Sequence, residues 1–243
     1  MSDPRSDELA GRLAAVRERL DAAVAAAGRP VGDVELLVVT KFFPASDVMR
    51  LIELGERAFG ESREPEASRK LAELGDAVPT HRVVFDMIGS VQTKKAKTVA
   101  RWARSVHSVD RDKLVGHLGR AAEQALDEHV RDAPLGVFAQ VSLDGDPTRG
   151  GVEIADLPAL AETIAAESSL RLRGLMVITP VDGSHRQWME RMSEVREGFL
   201  ADHPQAGELS AGMSGDMEIA IEYGSTCVRV GTAIMGSRPI LSQ

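Results

Sequence analysis

The sequence is poor in the residues that several common kinds of site require. Its single cysteine, Cys227, excludes a disulfide within the chain and any metal cluster built from several thiolates. The six histidines show neither HxxxH nor HxH spacing, so a zinc site has little support. No stretch approaches the ~18 apolar residues that span a bilayer, and the N-terminus has no apolar signal core. We therefore expect a cytoplasmic protein that does not enter a membrane.

Positive charge is also in short supply. Lysine and arginine together number 29 against 37 aspartates and glutamates, which gives a formal charge of −8 and a pI near 5.3. A field of this sign repels nucleic acid, so we expect no nucleic-acid partner. The 243 residues are 43% hydrophobic, enough for a sizeable core. No linker or shift in composition interrupts them, which favours one domain over residues 1–243.

What the sequence does contain is a regular alternation of apolar strand patterns with amphipathic helix patterns. After an extra helix at about residues 7–27, eight strands are predicted at 34–40, 57–61, 82–88, 105–110, 135–143, 172–178, 206–210 and 226–230. Eight βα units in roughly 200 residues favour a closed (β/α)8 barrel of the TIM type, an α/β fold. An open doubly wound sheet remains the alternative because the second and seventh strands are short. No G-x-G-x-x-G follows the first strand, which weakens the dinucleotide-binding version of that fold.

A lysine ends the first apolar strand, in the stretch VELLVVTKFF. Closure of a barrel makes the first and last strands neighbours and puts functional groups at their C-terminal ends, so Lys41 and Arg229 are predicted to face one mouth. Like charge and loss of water would depress the lysine pKa. A neutral amine attacks aldehydes, which makes Lys41 a candidate for a Schiff base. The alternatives are a solvated strand end for Lys41 and, for Arg229, an ion pair at the rim with Glu222 or Glu61.

The loops after the seventh and eighth predicted strands suit an anion. They read GMSGD and GTAIMG, with small residues, the Ser214 and Thr232 hydroxyls and a helix beginning near Asp216. Backbone N–H groups in such turns can approach a phosphate closely, and these two loops form the usual phosphate site of barrels. The residues therefore predict a ligand with a phosphate at one end and an aldehyde at the other.

At this point the sequence resembles a known family, the pyridoxal 5′-phosphate homeostasis proteins. The resemblance covers about residues 33–238 and is carried, in order and spacing, by VVTKFFPASDVMRLIELGERAFGES, MIGSVQTKKAK, VHSVDRDKL, RGLMVI and LSAGMSGDMEIAIEYGSTCVRVGTAIMGSR. The last block is the most specific. The resemblance implies a barrel like the N-terminal domain of alanine racemases, with pyridoxal 5′-phosphate held as a Schiff base on Lys41.

The same resemblance implies roles for the other site residues. Arg229 would face the pyridine nitrogen, while Ser214, Gly231, Thr232 and the Gly215 backbone would hold the phosphate. Met213 and Met176 would line the ring pocket. Two positions depart from the family pattern: Ser62 stands where G-E-N-R has asparagine, and Asp86 stands where W-H-F-I-G has histidine. Ser62 could keep a shorter contact near the cofactor, and Asp86 could add a carboxylate near the mouth that pairs with Lys41 or Arg229.

An arginine against the pyridine nitrogen also bears on catalysis. Because a guanidinium can only donate, the nitrogen stays unprotonated and the ring is a weaker electron sink. An enzyme would then need strong bases on both ring faces, yet the only tyrosine, Tyr223, is predicted near a helix end. The resemblance implies a noncatalytic protein of vitamin B6 homeostasis, with apoenzymes that use pyridoxal phosphate as its partners. The alternatives are an amino-acid racemase using this cofactor and a colourless Schiff-base aldolase. Since no stripe is left unburied by the helical ring, we expect a monomer.

Overall fold

The computed structural model describes residues 3–146, 148–180 and 183–237 of the chain. Its strands are β1 (Glu35–Val39), β2 (Ala58–Glu61), β3 (Val84–Met87), β4 (Ser105–Val109), β5 (Leu135–Ser142), β6 (Val152–Glu153), β7 (Leu170–Val177), β8 (Glu208–Ser210) and β9 (Cys227–Val230). Its helices are α1 (Pro4–Ala26), α2 (Ala45–Glu53), α3 (Glu66–Leu74), α4 (Ala77–Thr80), α5 (Ala96–Trp102), α6 (Asp112–Asp127), α7 (Leu157–Ala165), α8 (His185–Asp202), α9 (Met217–Glu222) and α10 (Thr232–Met235). Short 3-10 turns at Thr93–Lys95 and Ile154–Asp156 lead into α5 and α7.

The strands form a closed parallel barrel. Their order around the barrel is β4, β3, β2, β1, β9, β8, β7, β5, and β5 pairs with β4 to close the ring. The predicted (β/α)8 barrel is therefore confirmed, and the open sheet is wrong. Each of the eight predicted strands overlaps an observed strand, although β7 begins two residues before the predicted start. The two-residue β6, which pairs only with β5 in the described chain, was not predicted because two residues display no period.

The N-terminal helix is held in place by a cap and by an apolar stripe. Asp3 accepts a hydrogen bond from the Arg5 amide at 3.1 Å, and Pro4 occupies the first turn, so α1 begins three residues before the predicted start. Its buried face packs in one apolar cluster with α9, α10 and β9, using Leu9, Leu13, Val16, Leu20 and Val24. The helix thus supports the segments that follow β8 and β9. Among the described residues, no helix combines the length and the apolar character needed to cross a membrane.

Alternate strand residues point to two different environments. On β1 and β9, Val38 and Val228 pack in the outer apolar layer beneath the helices, whereas Leu37 and Cys227 belong to a small cluster inside the barrel. This alternation directs Arg229, two residues after Cys227, to the interior. The interior is partly polar, whereas the two large apolar clusters lie in the outer layer.

Candidate functional site

A cavity of about 360 Å3 opens at the C-terminal ends of the strands. This volume falls in the range of roughly 300–1,000 Å3 that is typical of small-molecule sites. Seven of the nine predicted site residues line it. The full lining consists of Val39, Lys41, Phe42, Phe43, Ile88, Ile178, Met213, Ser214, Gly215, Arg229, Gly231, Thr232 and Gly236. The structure therefore brings together the amine, the guanidinium and both hydroxyl-bearing turns.

Lys41 follows a segment of backbone that a buried ion pair fixes. The Lys70 ammonium donates to the Thr40 carbonyl at 2.7 Å and lies 2.5 Å from the Glu61 carboxylate. Glu61 also accepts from the Thr40 hydroxyl at 2.7 Å. Lys70 is 7% exposed and Glu61 2%, so these bonds are shielded from water. The residue next to Lys41, Phe42, has a φ of 71°, which is rare for an aromatic residue and typical of functional turns.

Arg229 is a buried cation held by neutral groups. It is 6% exposed, and its Nη1 and Nη2 atoms donate to the Ser210 hydroxyl at 2.6 Å and to the Val177 carbonyl at 2.8 Å. Among the described residues, no carboxylate lies within ion-pair distance of it. The rim pairs considered from the sequence are wrong, since Glu61 binds Lys70 and Glu222 binds Arg186. Burial lowers the pKa of Arg229 from its ordinary value.

Strand register sets the depth of the two cations. Leu37 of β1 pairs with Arg229 of β9, so Lys41 lies four positions (41 − 37) nearer the mouth than the residue beside Arg229. Arg229 lies lower in the barrel, and both side chains line the same cavity. This arrangement leaves room for a small ring between an amine near the opening and a guanidinium at the floor.

The loop after β8 is closed by Asp216, a 3% exposed residue at the start of α9. One carboxylate oxygen accepts the Met213 amide at 2.6 Å, and the other accepts the Thr179 hydroxyl at 2.6 Å. Ser214 and Gly215 lie within the turn that these bonds close. From outside, Arg19 of α1 donates to the Ser214 carbonyl at 3.2 Å. The turn is thus held from three sides: by its own carboxylate, by the end of β7 and by α1.

The loop after β9 supplies the opposite wall. Gly231 leads into Thr232, the first residue of α10, and both line the cavity. A Cβ atom on residue 231 would lie 3.3 Å from the Val39 Cβ, so glycine keeps the backbone close to β1. Thr232 is exposed at the rim, which leaves its hydroxyl available to a ligand. Two turns with hydroxyls and small residues therefore face each other, an arrangement that suits an oxyanion.

Two of the predicted residues lie elsewhere. Met176 is buried and does not line the cavity, because it pairs in register with Ser210, one level below the opening. Ile178, two residues further along the same face, lines the cavity instead. Ser62 lines an adjoining cavity of about 530 Å3, which shares Lys41 with the first. Met176 is thus not part of the cavity lining, while Ser62 lies beside the lysine in the adjoining cavity.

Asp86 also lies deeper than expected. It is fully buried beside Ser105, the first residue of β4, and both of its oxygens accept hydrogen bonds from Arg104. Arg104 in turn donates to both oxygens of Glu35, the first residue of β1. The carboxylate is therefore on the N-terminal side of the barrel, and the expectation that it lies near the mouth is wrong. The sequence left open whether Asp86 points inward and did not show how deep it lies.

The only tyrosine is on the outer surface. Tyr223 caps the end of α9, donates to Glu190 at 2.8 Å and accepts from Arg186 at 3.2 Å. It is not among the residues that line the cavity. Its hydrogen bond to Glu190 is the largest influence raising its pKa. Tyr223 is thus engaged with α8, away from the cavity.

Some lining residues were not predicted from the sequence. Ile88 and Ile178 follow β3 and β7 and form apolar walls, and Phe43 and Gly236 complete the opening. The two isoleucines could have been found, because each ends a predicted strand with the alternation that points it inward. The hydrogen-bond partners of Arg229 carried no sequence signal, since Ser210 lies in a three-residue strand.

Comparison with known proteins gives a consistent set of relatives. The family described as the alanine racemase N-terminal domain matches residues 12–239. The pyridoxal phosphate homeostasis protein of Mycobacterium tuberculosis is 48% identical over 98% of this chain and 96% of its own length. The protein of the same name from Escherichia coli is 34% identical over 96% of this chain and 97% of its own length.

A similar structure has been solved with a ligand. PipY from Synechococcus elongatus, with pyridoxal phosphate (PLP) bound, is 30% identical to this chain and superimposes with a TM-score of 0.80. The match covers 94% of this chain and all of PipY. A further structure, from Bifidobacterium adolescentis, is 30% identical with a TM-score of 0.87 over 97% of both chains.

Proposed function

Because this chain belongs to the alanine racemase N-terminal domain family and, within it, to the pyridoxal phosphate homeostasis proteins, we propose that it binds pyridoxal 5′-phosphate and serves intracellular vitamin B6 homeostasis. The cofactor is held as a Schiff base on Lys41. The names of the relatives and the ligand of PipY support this proposal. The residues of this chain support it independently, through the chemistry of the cavity.

The observation that carries the proposal is the buried Arg229 guanidinium. A cation taken out of water costs several kcal/mol unless it is paired, yet the described residues offer it only a hydroxyl and a carbonyl. Two of its five N–H groups are accounted for by these bonds, and the residue lines the cavity. An acceptor atom of a bound ring would use a remaining donor. The pyridine nitrogen of PLP is such an acceptor.

The rest of the cavity fits the other groups of the cofactor. Lys41 supplies the amine for the aldehyde, and the turns that contain Ser214, Gly215, Gly231 and Thr232 supply donors for the phosphate. Ile88, Ile178 and Met213 provide apolar surface for the ring. When bound, pyridoxal phosphate supplies an electrophilic carbon and an electron-withdrawing ring.

We propose that the chain does not use that chemistry for turnover. Arg229 can only donate, so the ring nitrogen placed against it stays unprotonated and withdraws electrons weakly. Tyr223, the residue type that could serve as a second base, is bonded to Glu190 and Arg186 on the outer surface. A cavity that binds the cofactor without a second base is suited to storing it and delivering it to apoenzymes. We place this role in the cytoplasm, with the protein as a monomer.

The proposal is tested by reducing the pyridoxal phosphate complex with borohydride and mapping the adduct by mass spectrometry. We expect one pyridoxyl group on Lys41, and a visible absorbance band that is absent from Lys41→Ala. Lys94→Ala, which removes an exposed lysine after β3, serves as the control and keeps both the band and the adduct. An adduct on Lys94 or another surface lysine would contradict the assignment of the site.

A panel of amino acids separates a carrier from an enzyme. We expect no racemisation above the rate of free pyridoxal phosphate for the wild-type protein. Turnover that disappears in Lys41→Ala would instead favour the racemase alternative. A colourless protein whose lysine reacts with a sugar phosphate would favour the aldolase.

A further inference from the structure

A line of polar side chains runs from Arg229 down through the barrel interior. Below the guanidinium, the Ser210 hydroxyl lies 2.9 Å from His107 Nδ1. On the other side of the ring, His107 Nε2 lies 3.4 Å from Asp86 Oδ2 and 3.3 Å from the Ser105 hydroxyl. Ser210, His107 and Asp86 are each no more than 1% exposed. The order of contacts from the cavity inwards is therefore arginine, serine, histidine, aspartate.

The direction of each hydrogen bond follows from counting protons. Arg229 is a donor in every protonation state available to it, so the Ser210 oxygen must accept the Arg229 bond. The single proton of the Ser210 hydroxyl then points to the other close partner, His107 Nδ1. That nitrogen must be unprotonated to accept it, which places the ring proton of neutral His107 on Nε2. The arginine thus dictates the tautomer of a histidine that it does not touch.

The far end of the line enforces the same direction. Asp86 accepts from the Ser105 amide at 3.0 Å and from the Ser105 hydroxyl at 2.8 Å, as well as from Arg104. An ionised carboxylate can only accept, so the Nε2 atom that faces it must be the donor. Because Ser105 gives its own proton to Asp86, its oxygen can also only accept from His107. Both ends of the ring therefore require the same tautomer.

The surroundings of His107 favour its neutral form. Burial is the largest influence lowering the pKa of His107, and the charges of Arg229 and Arg104 act in the same direction, while Asp86 opposes them. Arg173 reaches this group through Ser105, to which its Nη1 atom donates at 3.3 Å. For Asp86, burial opposes ionisation, but hydrogen bonds from His107 and Arg104 outweigh it and lower the pKa. A neutral ring beside an ionised carboxylate matches the proton count.

We propose that Ser210 and His107 are positioning residues that fix the Arg229 guanidinium beneath the ligand, and that Asp86 locks His107 in the Nε2–H tautomer. This inference rests on the proposed function, because its purpose is to aim Arg229 at the ring nitrogen of pyridoxal phosphate. Arg229 has a long flexible side chain, and its other described hydrogen bond goes to a backbone carbonyl. The hydroxyl of Ser210 restrains the second arm of the guanidinium, so both arms are held before a ligand arrives.

The buried carboxylate of Asp86 has two neighbours in this arrangement. An aspartate at position 86 gives His107 an anionic acceptor and gives Arg104 a partner that it shares with Glu35. Arg229, Ser210, His107 and Asp86 therefore form a chain of contacts in the barrel interior, and each side chain acts as a defined donor or acceptor in it. Removal of one middle member leaves a buried donor without a partner, which costs more than the bond itself.

The first test uses the protein without ligand. Long-range proton–nitrogen correlation spectra of the 15N-labelled wild-type protein at pH 7 should show His107 with an unprotonated Nδ1 and a protonated Nε2. His107→Phe, which keeps a ring against Phe138, identifies the signals by their loss. A His107 ring that carries its proton on Nδ1, or on both nitrogens, would overturn the proposal.

The second test measures pyridoxal phosphate binding by the visible band. Loss of a hydrogen bond to a charged group is expected to weaken affinity by at least about tenfold in Ser210→Ala. We expect a loss of the same sign in His107→Phe, because Ser210 then has no acceptor for its proton. Ser169→Ala removes a buried hydroxyl that donates to the Gly119 carbonyl away from the cavity, and it should bind as the wild type does.

The results of these tests distinguish failure of the positioning role from failure of the proposed function. If the wild-type protein binds pyridoxal phosphate and Ser210→Ala binds it equally well, the positioning role is overturned while the proposed function stands. If the wild type binds no pyridoxal phosphate, the proposed function fails and with it the purpose given to Arg229. The nitrogen spectra of the unliganded protein decide the order of hydrogen bonds in either case.

Discussion

The buried ion pair between Lys70 and Glu61 is expected to be essential for both stability and the placement of Lys41. In Lys70→Met the side chain keeps its length but loses the ammonium, so the 2%-exposed Glu61 carboxylate loses its cation. The Thr40 carbonyl loses its Lys70 hydrogen bond in the same change. Because Thr40 directly precedes Lys41, the backbone before Lys41 loses one of its restraints, while the Phe43 amide still donates to the Thr40 carbonyl at 3.1 Å.

The size of the effect follows from burial. Removing one partner of a buried ion pair costs about 3–5 kcal/mol, because the other charge is left without compensation. For a chain of this size each kcal/mol lowers the melting temperature by about 2–4 °C, so Lys70→Met should melt about 6–20 °C below the wild type. Lys70→Met combined with Glu61→Leu removes both charges and should recover part of that loss.

Urea denaturation followed by circular dichroism measures the free energy of unfolding, and the visible band measures pyridoxal phosphate binding. Lys97→Met serves as the control, since Lys97 is an exposed lysine on α5 and its loss should change stability by no more than about 0.5 kcal/mol. If Lys70→Met costs less than about 1 kcal/mol, the pair is solvated and the reasoning from burial is refuted. A double variant less stable than Lys70→Met would also contradict it.

Three further predictions concern the interior and the loop after β8. Burial lowers the pKa of His107 below its ordinary value of 6.5, so the unfolded chain takes up a proton first as pH falls; the free energy of unfolding should therefore decrease below about pH 6.5, and this part of the pH dependence should vanish in His107→Phe. Asp216→Ala should cost about 1–3 kcal/mol in urea denaturation and weaken inorganic phosphate binding measured by calorimetry, since the Met213 amide loses its acceptor; unchanged phosphate affinity would show that the loop does not depend on it. Gly212→Ala should destabilise the protein by more than about 1 kcal/mol, because φ is +93° there and the new Cβ would meet Ala220 at 2.7 Å, whereas Gly198→Ala on α8, with open space around it, should be neutral or stabilising by the same assay.

The strands and their order could be predicted because each βα unit repeats its own local signals. Apolar runs bounded by helix starts gave eight strands, and closure then made the first and last strands neighbours. That single topological fact put Lys41 and Arg229 at one cavity, although they are far apart in the chain. The residue types in GMSGD and GTAIMG predicted an anion site at the two loops without any knowledge of tertiary contacts, and both loops line the cavity.

Depth in the barrel could not be predicted. A period of two tells which face a residue occupies, but the level at which it meets its neighbours depends on the stagger between strands. The levels of Met176 and Asp86 therefore came only from the structure: one pairs with Ser210, and the other lies beside Ser105 at the start of β4. Ile178 takes the place at the cavity that the sequence assigned to Met176.

The sequence by itself determined the alternation of strands and helices that predicts a closed barrel. It also determined the lysine after the first strand, the arginine on the last strand and the small, hydroxyl-bearing turns, because each of these features is local in the chain. Only the tertiary structure decided which buried polar groups meet. The Ser210 contact of His107 joins residues 103 positions apart, and the Lys70–Glu61 pair links α3 to the end of β2. Contacts of this kind arise from the register of strands and the tilt of helices, which are fixed when the whole barrel packs and leave no periodic trace in the chain.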